Sequence, residues 1–162
     1  MKQKVIVKRI PRKEMRLALR SAIAATASKE TVALRGHITD DVRDFPLVVK
    51  DDLQSLKKTR EVEEAFIKIG VWPDVYRVKE SRKVRAGKGK RRGRRIKQAV
   101  GPLLVIAKNE GVAQAARNIP GVNISLIDNL NAELLAPGTH PGRLTVWTES
   151  AFKKLGEQFG GG

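Results

Sequence analysis

Four short apolar runs punctuate the chain: Pro46–Lys50 (PLVVK), Leu103–Ala107 (LLVIA), Asn123–Ile127 (NISLI) and Leu144–Trp147 (LTVW). Each is too short for an amphipathic helix, rich in branched side chains and bounded by polar or breaker residues. That is the signature of a strand buried on both faces. Helical spacing alternates with them. Val62, Ala65, Phe66 and Ile69 recur at i, i+3, i+4, i+7 and stop at Gly70; Val112, Ala115, Ala116 and Ile119 repeat the pattern and stop at Pro120-Gly121. A short helix fits Leu130–Ala136. Thr148 is placed to cap a last helix carrying Phe152, Leu155 and Phe159. Strand–helix alternation of this kind requires a parallel sheet with helices on both faces. The expected fold class is α/β, a three-layer α/β/α sandwich around a four-stranded parallel sheet.

The rest of the chain is organised around that unit. Residues 1–10 read as a basic extended arm. Pro11 opens a helix running to Ala27, with Met15, Ala18, Leu19, Ala22 and Ala25 as its apolar stripe and Arg12, Arg16 and Arg20 aligned beside it. Residues 28–45 have no clear period and read as loop. Residues 71–101 interrupt the alternation and read as an insertion; residues 160–162, all glycine, read as a flexible tail. The 162 residues with 41% hydrophobic content suffice for one core, so residues 11–159 are expected to form a single domain.

Charge separates this chain from an ordinary α/β protein. The formal net charge is +16, from 33 Lys and Arg against 17 Asp and Glu. Residues 82–97 (RKVRAGKGKRRGRRIK) hold ten basic residues and no acid, and residues 1–20 hold eight basic residues and Glu14. The remainder carries fifteen basic and sixteen acidic residues, a net −1. A nearly neutral body therefore bears two basic segments, and packing like charges so densely costs free energy unless a partner neutralises them. A polyanion is the partner class this implies. No apolar run approaches the ~18 residues of a membrane span, and the N-terminus has no apolar stretch resembling a signal peptide. With no cysteine, disulfides and thiolate chemistry are excluded.

The segment Arg85–Arg95 (RAGKGKRRGRR) invites a nucleotide reading and fails it. Its glycines, Gly87, Gly89 and Gly93, are one residue too widely spaced for the dinucleotide fingerprint, no Ser or Thr follows a Gly-Lys pair, and the segment precedes a strand instead of following one. An extended, nearly structureless loop that places arginine forks on phosphate oxygens fits better. Aromatic residues are almost absent from it, which disfavours base stacking and favours phosphate and shape recognition of folded RNA or a duplex. The candidate phosphate contacts are Arg82, Lys83, Arg85, Lys88, Lys90, Arg91, Arg92, Arg94, Arg95 and Lys97. Lys4, Lys8, Arg9, Arg12, Arg16 and Arg20 come second, and Arg143 in the Pro/Gly loop third. His37 and His140 have no neighbouring ligand residues in sequence, so no metal site is expected. Ser150, Asp128 and His140 lack nucleophile-elbow spacing. The aspartates at 40, 41, 44, 51 and 52 read as loop and helix-start carboxylates, and Trp72 and Trp147 as packing residues.

Several segments resemble a known family. RAGKGKRRGRR (85–95), ARNIPGVNI (116–124) and LNAELLAPGTHPGRLTVWTESAF (130–152) are similar to the archaeal and eukaryotic branch of the universal ribosomal large-subunit protein number four family. LALRSAIAATA (17–27), PLVVKDD (46–52) and KKTREV (57–62) resemble the same family. The resemblance implies a sheet in which the four strands stand in the order first, fourth, second, third. It also implies a non-enzymatic constituent of the large ribosomal subunit, cytoplasmic within the ribosome, needing no cofactor and no small-molecule substrate. Its partners would be large-subunit ribosomal RNA and neighbouring ribosomal proteins, with residues 82–97 lying against the RNA. The family usually carries an additional N-terminal third with a long loop at the peptide tunnel; no match to it is found here, so the tunnel role is not carried over. Two other readings of the residues remain: an RNA- or DNA-binding regulator outside the ribosome, and a nucleotide-dependent α/β enzyme.

Overall fold

The structure, a computed structural model, describes residues 9–159. The expected tail at 160–162 and most of the expected arm, including Lys4 and Lys8, lie outside the described residues.

Four strands build the central sheet: β1 (Leu47–Val49), β4 (Leu103–Ile106), β5 (Asn123–Leu126) and β6 (Thr145–Thr148). All pairings are parallel and the order is β1-β6-β4-β5, the first-fourth-second-third order implied by the resemblance. Val105 stands opposite both Ser125 and Trp147. Successive side chains on a strand point to opposite faces, and here both faces are covered. Leu104, Ile106 and Val146 face a core completed by α3 (Thr59–Lys68), α4 (Trp72–Glu80) and α5 (Val112–Ala116). Leu103, Val105 and Trp147 face a second core completed by α1 (Arg12–Thr26), α6 (Ala132–Leu135) and α7 (Glu149–Phe159). The result is the three-layer α/β/α sandwich.

Three segments differ from their sequence reading. Within 28–45, Lys29–Leu34 forms a helix, α2, started by the Ser28 hydroxyl accepting from the Thr31 N–H at 3.3 Å. Six residues that bury only Val32 are too few to display a period. Residues 72–80 belong to the body and not to an insertion: Val71, Val75 and Val78 are fully buried at i, i+4, i+7. Pro73 sits in the first turn of that helix, so the proline that seemed to interrupt the pattern starts it. The basic segment is also not structureless. It folds into a two-stranded antiparallel ribbon of β2 (Lys83–Val84) and β3 (Ile96–Lys97).

The last helix is capped differently from expectation. Among the described residues the Thr148 hydroxyl finds no partner. Instead Asp51, from the turn after β1, accepts from the Ser150 N–H at 3.0 Å and from the Ser150 hydroxyl at 2.7 Å. These hydrogen bonds, the hydroxyl's foremost, hold the Asp51 carboxyl below the usual range.

Candidate nucleic-acid interface

The ribbon enters the body at the amino edge of the sheet, where all four parallel strands begin. Its neck is fixed by two bonds. The Ser81 hydroxyl accepts from the Ala99 N–H at 2.8 Å while donating to the Val78 carbonyl, and Arg77 donates to the Val100 carbonyl at 3.1 Å. Arg77 is itself held by Asp74, a fully buried carboxylate on α4 that also accepts from His37 Nδ1 at 2.9 Å and the Ile38 N–H at 3.0 Å. Burial pushes the Asp74 carboxyl up, and the hydrogen bonds from His37, Arg77 and Ile38 outweigh it, so the group stays below the usual carboxylate range.

Within the ribbon, the Arg85 N–H donates to the Arg95 carbonyl at 2.8 Å, and the Arg85 guanidinium reaches across the tip to the Arg94 carbonyl at 3.1 Å. The tip is a single tight turn, Lys88–Arg92, flanked by Gly87 at φ +78° and Gly93 at φ +77°. Left-handed backbone at both ends of the turn explains these glycines directly. Lys83 stands directly opposite Lys97, a like-charge cross-strand pair that destabilises an isolated ribbon. Among the described residues, none of the ten cations of 82–97 makes an ion pair. Arg85 is half-buried and braces the tip; the other nine are exposed.

The remaining candidates separate into two groups. Arg9, Arg12 and Arg16 are exposed, and Arg20 is exposed but donates to the Phe159 carbonyl at the end of α7 at 3.0 Å. Arg143 is not available to a phosphate, and its assignment is corrected: its residue is 2% exposed. It donates to the carbonyls of Gly101, Pro102 and Leu134 and to Asn123 Oδ1 at 2.6 Å, tying together the starts of β4, β5 and β6. Burial, with Arg35 nearby, lowers its pKa to about 10. Arg35 works alongside it, donating to the carbonyls of Pro137 and His140. Arg143 lies just before β6, outside the strand, and no spacing in the sequence marked it as buried. Arg77, Ser81 and Asp74, which hold the ribbon's neck, had no sequence signal either; their roles arise from tertiary contacts.

The carboxyl edge is built differently. In a sheet of this kind ligands enter between neighbouring strands whose following helices go to opposite faces. One such pair is β4 and β6, followed by α5 and α7; β1 with β6 and β4 with β5 meet the same condition, and a hollow lined by Ile106, Asn109, Ser125 and Asn129 lies at the carboxyl ends of β4 and β5. Gln54, 5% exposed, fills the position between β4 and β6: its carbonyl accepts from the Lys108 N–H after β4 at 2.8 Å, and its amide donates to Ser150 Oγ after β6 at 3.1 Å. The segments that follow the strands carry Asp51, Asp52, Glu110, Asp128 and Glu149 against Lys50 and Lys108. His140 precedes β6 and Ser150 follows it, so the two stand at opposite ends of the sheet and cannot share a triad. Among the described residues no helix is long and apolar enough to cross a membrane, and no group of acidic, histidine or cysteine side chains could hold a metal ion.

The protein is thus an α/β sandwich of the parallel-sheet class with a cationic ribbon projecting from its amino edge. Residues 1–158 match the family model described as Ribosomal protein L4/L1 family, and the chain belongs to that family. It is 53% identical over 149 residues to the large ribosomal subunit protein uL4 of Archaeoglobus fulgidus. It is 53% identical over 152 residues to that of Methanopyrus kandleri and 50% over 155 residues to that of Methanothrix thermoacetophila. These alignments cover 92%, 94% and 96% of this chain but 58%, 58% and 61% of the relatives. The chain thus spans about three-fifths of the length of the proteins it matches.

Proposed function

We propose that this chain is a structural, non-enzymatic constituent of the large ribosomal subunit that binds ribosomal RNA and stabilises its folded form. The observation that carries the reading is the ribbon at 82–97: ten cations, no acid, no ion pair among the described residues, and a like-charge pair held face to face. Such a segment is stabilised when phosphates replace the missing counter-charges. Lys83, Lys88, Lys90, Lys97 and the arginines at 82, 91, 92, 94 and 95 are the principal contacts, with Arg85 bracing the tip. Arg9, Arg12 and Arg16 add a second patch, and neighbouring ribosomal proteins pack on the remaining surface. The named relatives support the ribosomal assignment and a cytoplasmic location within the ribosome. A nucleotide-dependent enzyme is disfavoured because the glycines at 87, 89 and 93 fit neither phosphate-loop spacing and the segment precedes a strand. Crosslinking of the chain assembled into large subunits tests the proposal: crosslinks from 82–97 to large-subunit RNA are expected, and recovery of the chain only in subunit-free fractions would overturn it.

A further inference from the structure

The ribbon is two-faced, and its second face is apolar. Val84 stands directly opposite Ile96, and directly opposed residues in an antiparallel pair share a face while their neighbours point the other way. Lys83 and Lys97 therefore share one side and Val84 and Ile96 the other. Val84 is 56% exposed and Ile96 41% exposed, and neither joins either core. A hollow of about 550 Å³ runs beside the ribbon, lined by Lys83, Val84, Arg85, Ala86 and Lys97. Its lining is cationic and apolar and contains no acid.

We propose that Val84 and Ile96 seat the ribbon on the ribose-and-base surface of an RNA minor groove while the flanking lysines and arginines take the phosphates on either side. This rests on the RNA-binding reading above and specifies which surface of the RNA is met. The charge around the pair selects the occupant. Ten cations without an acid repel a basic protein and offer no hydrogen-bond acceptor side chains to a neutral one. A nucleic acid supplies both needs, anionic oxygens for the lysines and sugar carbons and base edges for the apolar pair. The A-form minor groove is wide and shallow and displays riboses, whereas the A-form major groove is too deep and narrow to be read. A two-stranded ribbon with a flat apolar face suits the former. The apolar pair then contributes affinity that salt does not screen, and it discriminates A-form RNA from B-form DNA, whose minor groove is narrow.

Substituting Val84→Thr together with Ile96→Thr tests this, because threonine keeps the β-branched shape and strand preference while removing the apolar surface. The probes are a 20-base-pair RNA duplex and the DNA duplex of the same sequence, titrated across a salt series, with amide exchange at Arg85 reporting that the ribbon remains paired. The expected result is an affinity for the RNA duplex roughly tenfold lower at every salt concentration, an unchanged slope of log affinity against log salt, and little change on the DNA duplex. Val84→Ile, which keeps the apolar surface beside Ile96, should bind the RNA duplex as the wild type does. Unchanged RNA affinity in the paired double variant overturns the inference and leaves the electrostatic reading standing. Equal losses on RNA and DNA overturn the minor-groove assignment. A wild-type chain with no affinity for either duplex overturns both readings together.

Discussion

The amino edge and the ribbon above it both depend on arginine, and they use it in opposite ways. At the edge, Arg35, Arg77 and Arg143 direct their guanidinium groups at backbone carbonyls and at Asp74, so each charge is spent inside the fold. On the ribbon, nine of ten cations are exposed and none is paired among the described residues. Net charge alone treats the two groups alike. The difference shows that a basic residue is free to meet a partner only where the fold leaves its donors unfilled, and that the filled arginines fix the frame from which the ribbon projects.

The largest way to break this comparison lies at the edge. Arg143→Met keeps much of the side-chain volume but takes the donor away from Gly101 before β4, Asn123 at the start of β5 and Leu134 in α6. Its expected cost is roughly 2–4 kcal/mol of unfolding free energy, measured by denaturant titration, with the RNA affinity of the folded fraction unchanged. A loss of RNA affinity without a loss of stability would put Arg143 back on the binding surface.

Asp74→Asn is next, with an expected cost of roughly 1–3 kcal/mol at neutral pH. Its pH dependence carries a sign. Because the Asp74 carboxyl is held below its ordinary value, its stabilisation is fully present above the unfolded-state pKa of ~3.9 and is lost as pH falls through the folded value. The gap between wild type and Asp74→Asn should therefore be constant from neutral pH to about pH 5 and close in stronger acid. Thermal unfolding at a series of pH values measures it; a gap that widens in acid would contradict the hydrogen-bond account.

The sheet and both flanking layers were legible because strands buried on both faces and helices with a strong period announce themselves over four to eight residues, while the strand order came from the family resemblance alone. The helix at Lys29–Leu34 was not, being too short to show a period. The helix at Trp72–Glu80 was masked by Pro73, read as a break when it marked a start, although Val71, Val75 and Val78 carried the spacing. The concentration of exposed charge was legible from the run at 82–97, but its folding into a ribbon was not, since two-residue strands leave no alternation to read. Arg143 was misassigned because a Pro/Gly loop suggests exposure, whereas the carbonyls of Gly101 and Leu134 and the Asn123 side chain draw its guanidinium inside.

Ser81→Ala has the smallest expected effect and sharpens the comparison at the ribbon's neck. Losing one hydroxyl leaves the Ala99 N–H without its acceptor and should cost roughly 0.5–1.5 kcal/mol locally. Faster amide exchange at Ala99 is expected, with no change in global unfolding midpoint beyond a few degrees. Unaltered exchange there would mean that the neck is held by Arg77 alone.

The central claim is that unfilled cations on the ribbon, and not basic residues in general, carry the affinity for RNA. Binding of the chain to large-subunit ribosomal RNA across a salt series tests it most directly, comparing wild type, a variant with the nine exposed cations of 82–97 changed to glutamine while Arg85 is kept, and Arg12→Gln with Arg16→Gln. Log affinity should fall linearly with log salt. The ribbon variant should lower the magnitude of the slope by roughly 3–5 and the helix variant by roughly 1–2, at ~0.7–0.9 per phosphate contact. Circular dichroism should be unchanged in both. A folded ribbon variant that keeps the wild-type slope would contradict the claim.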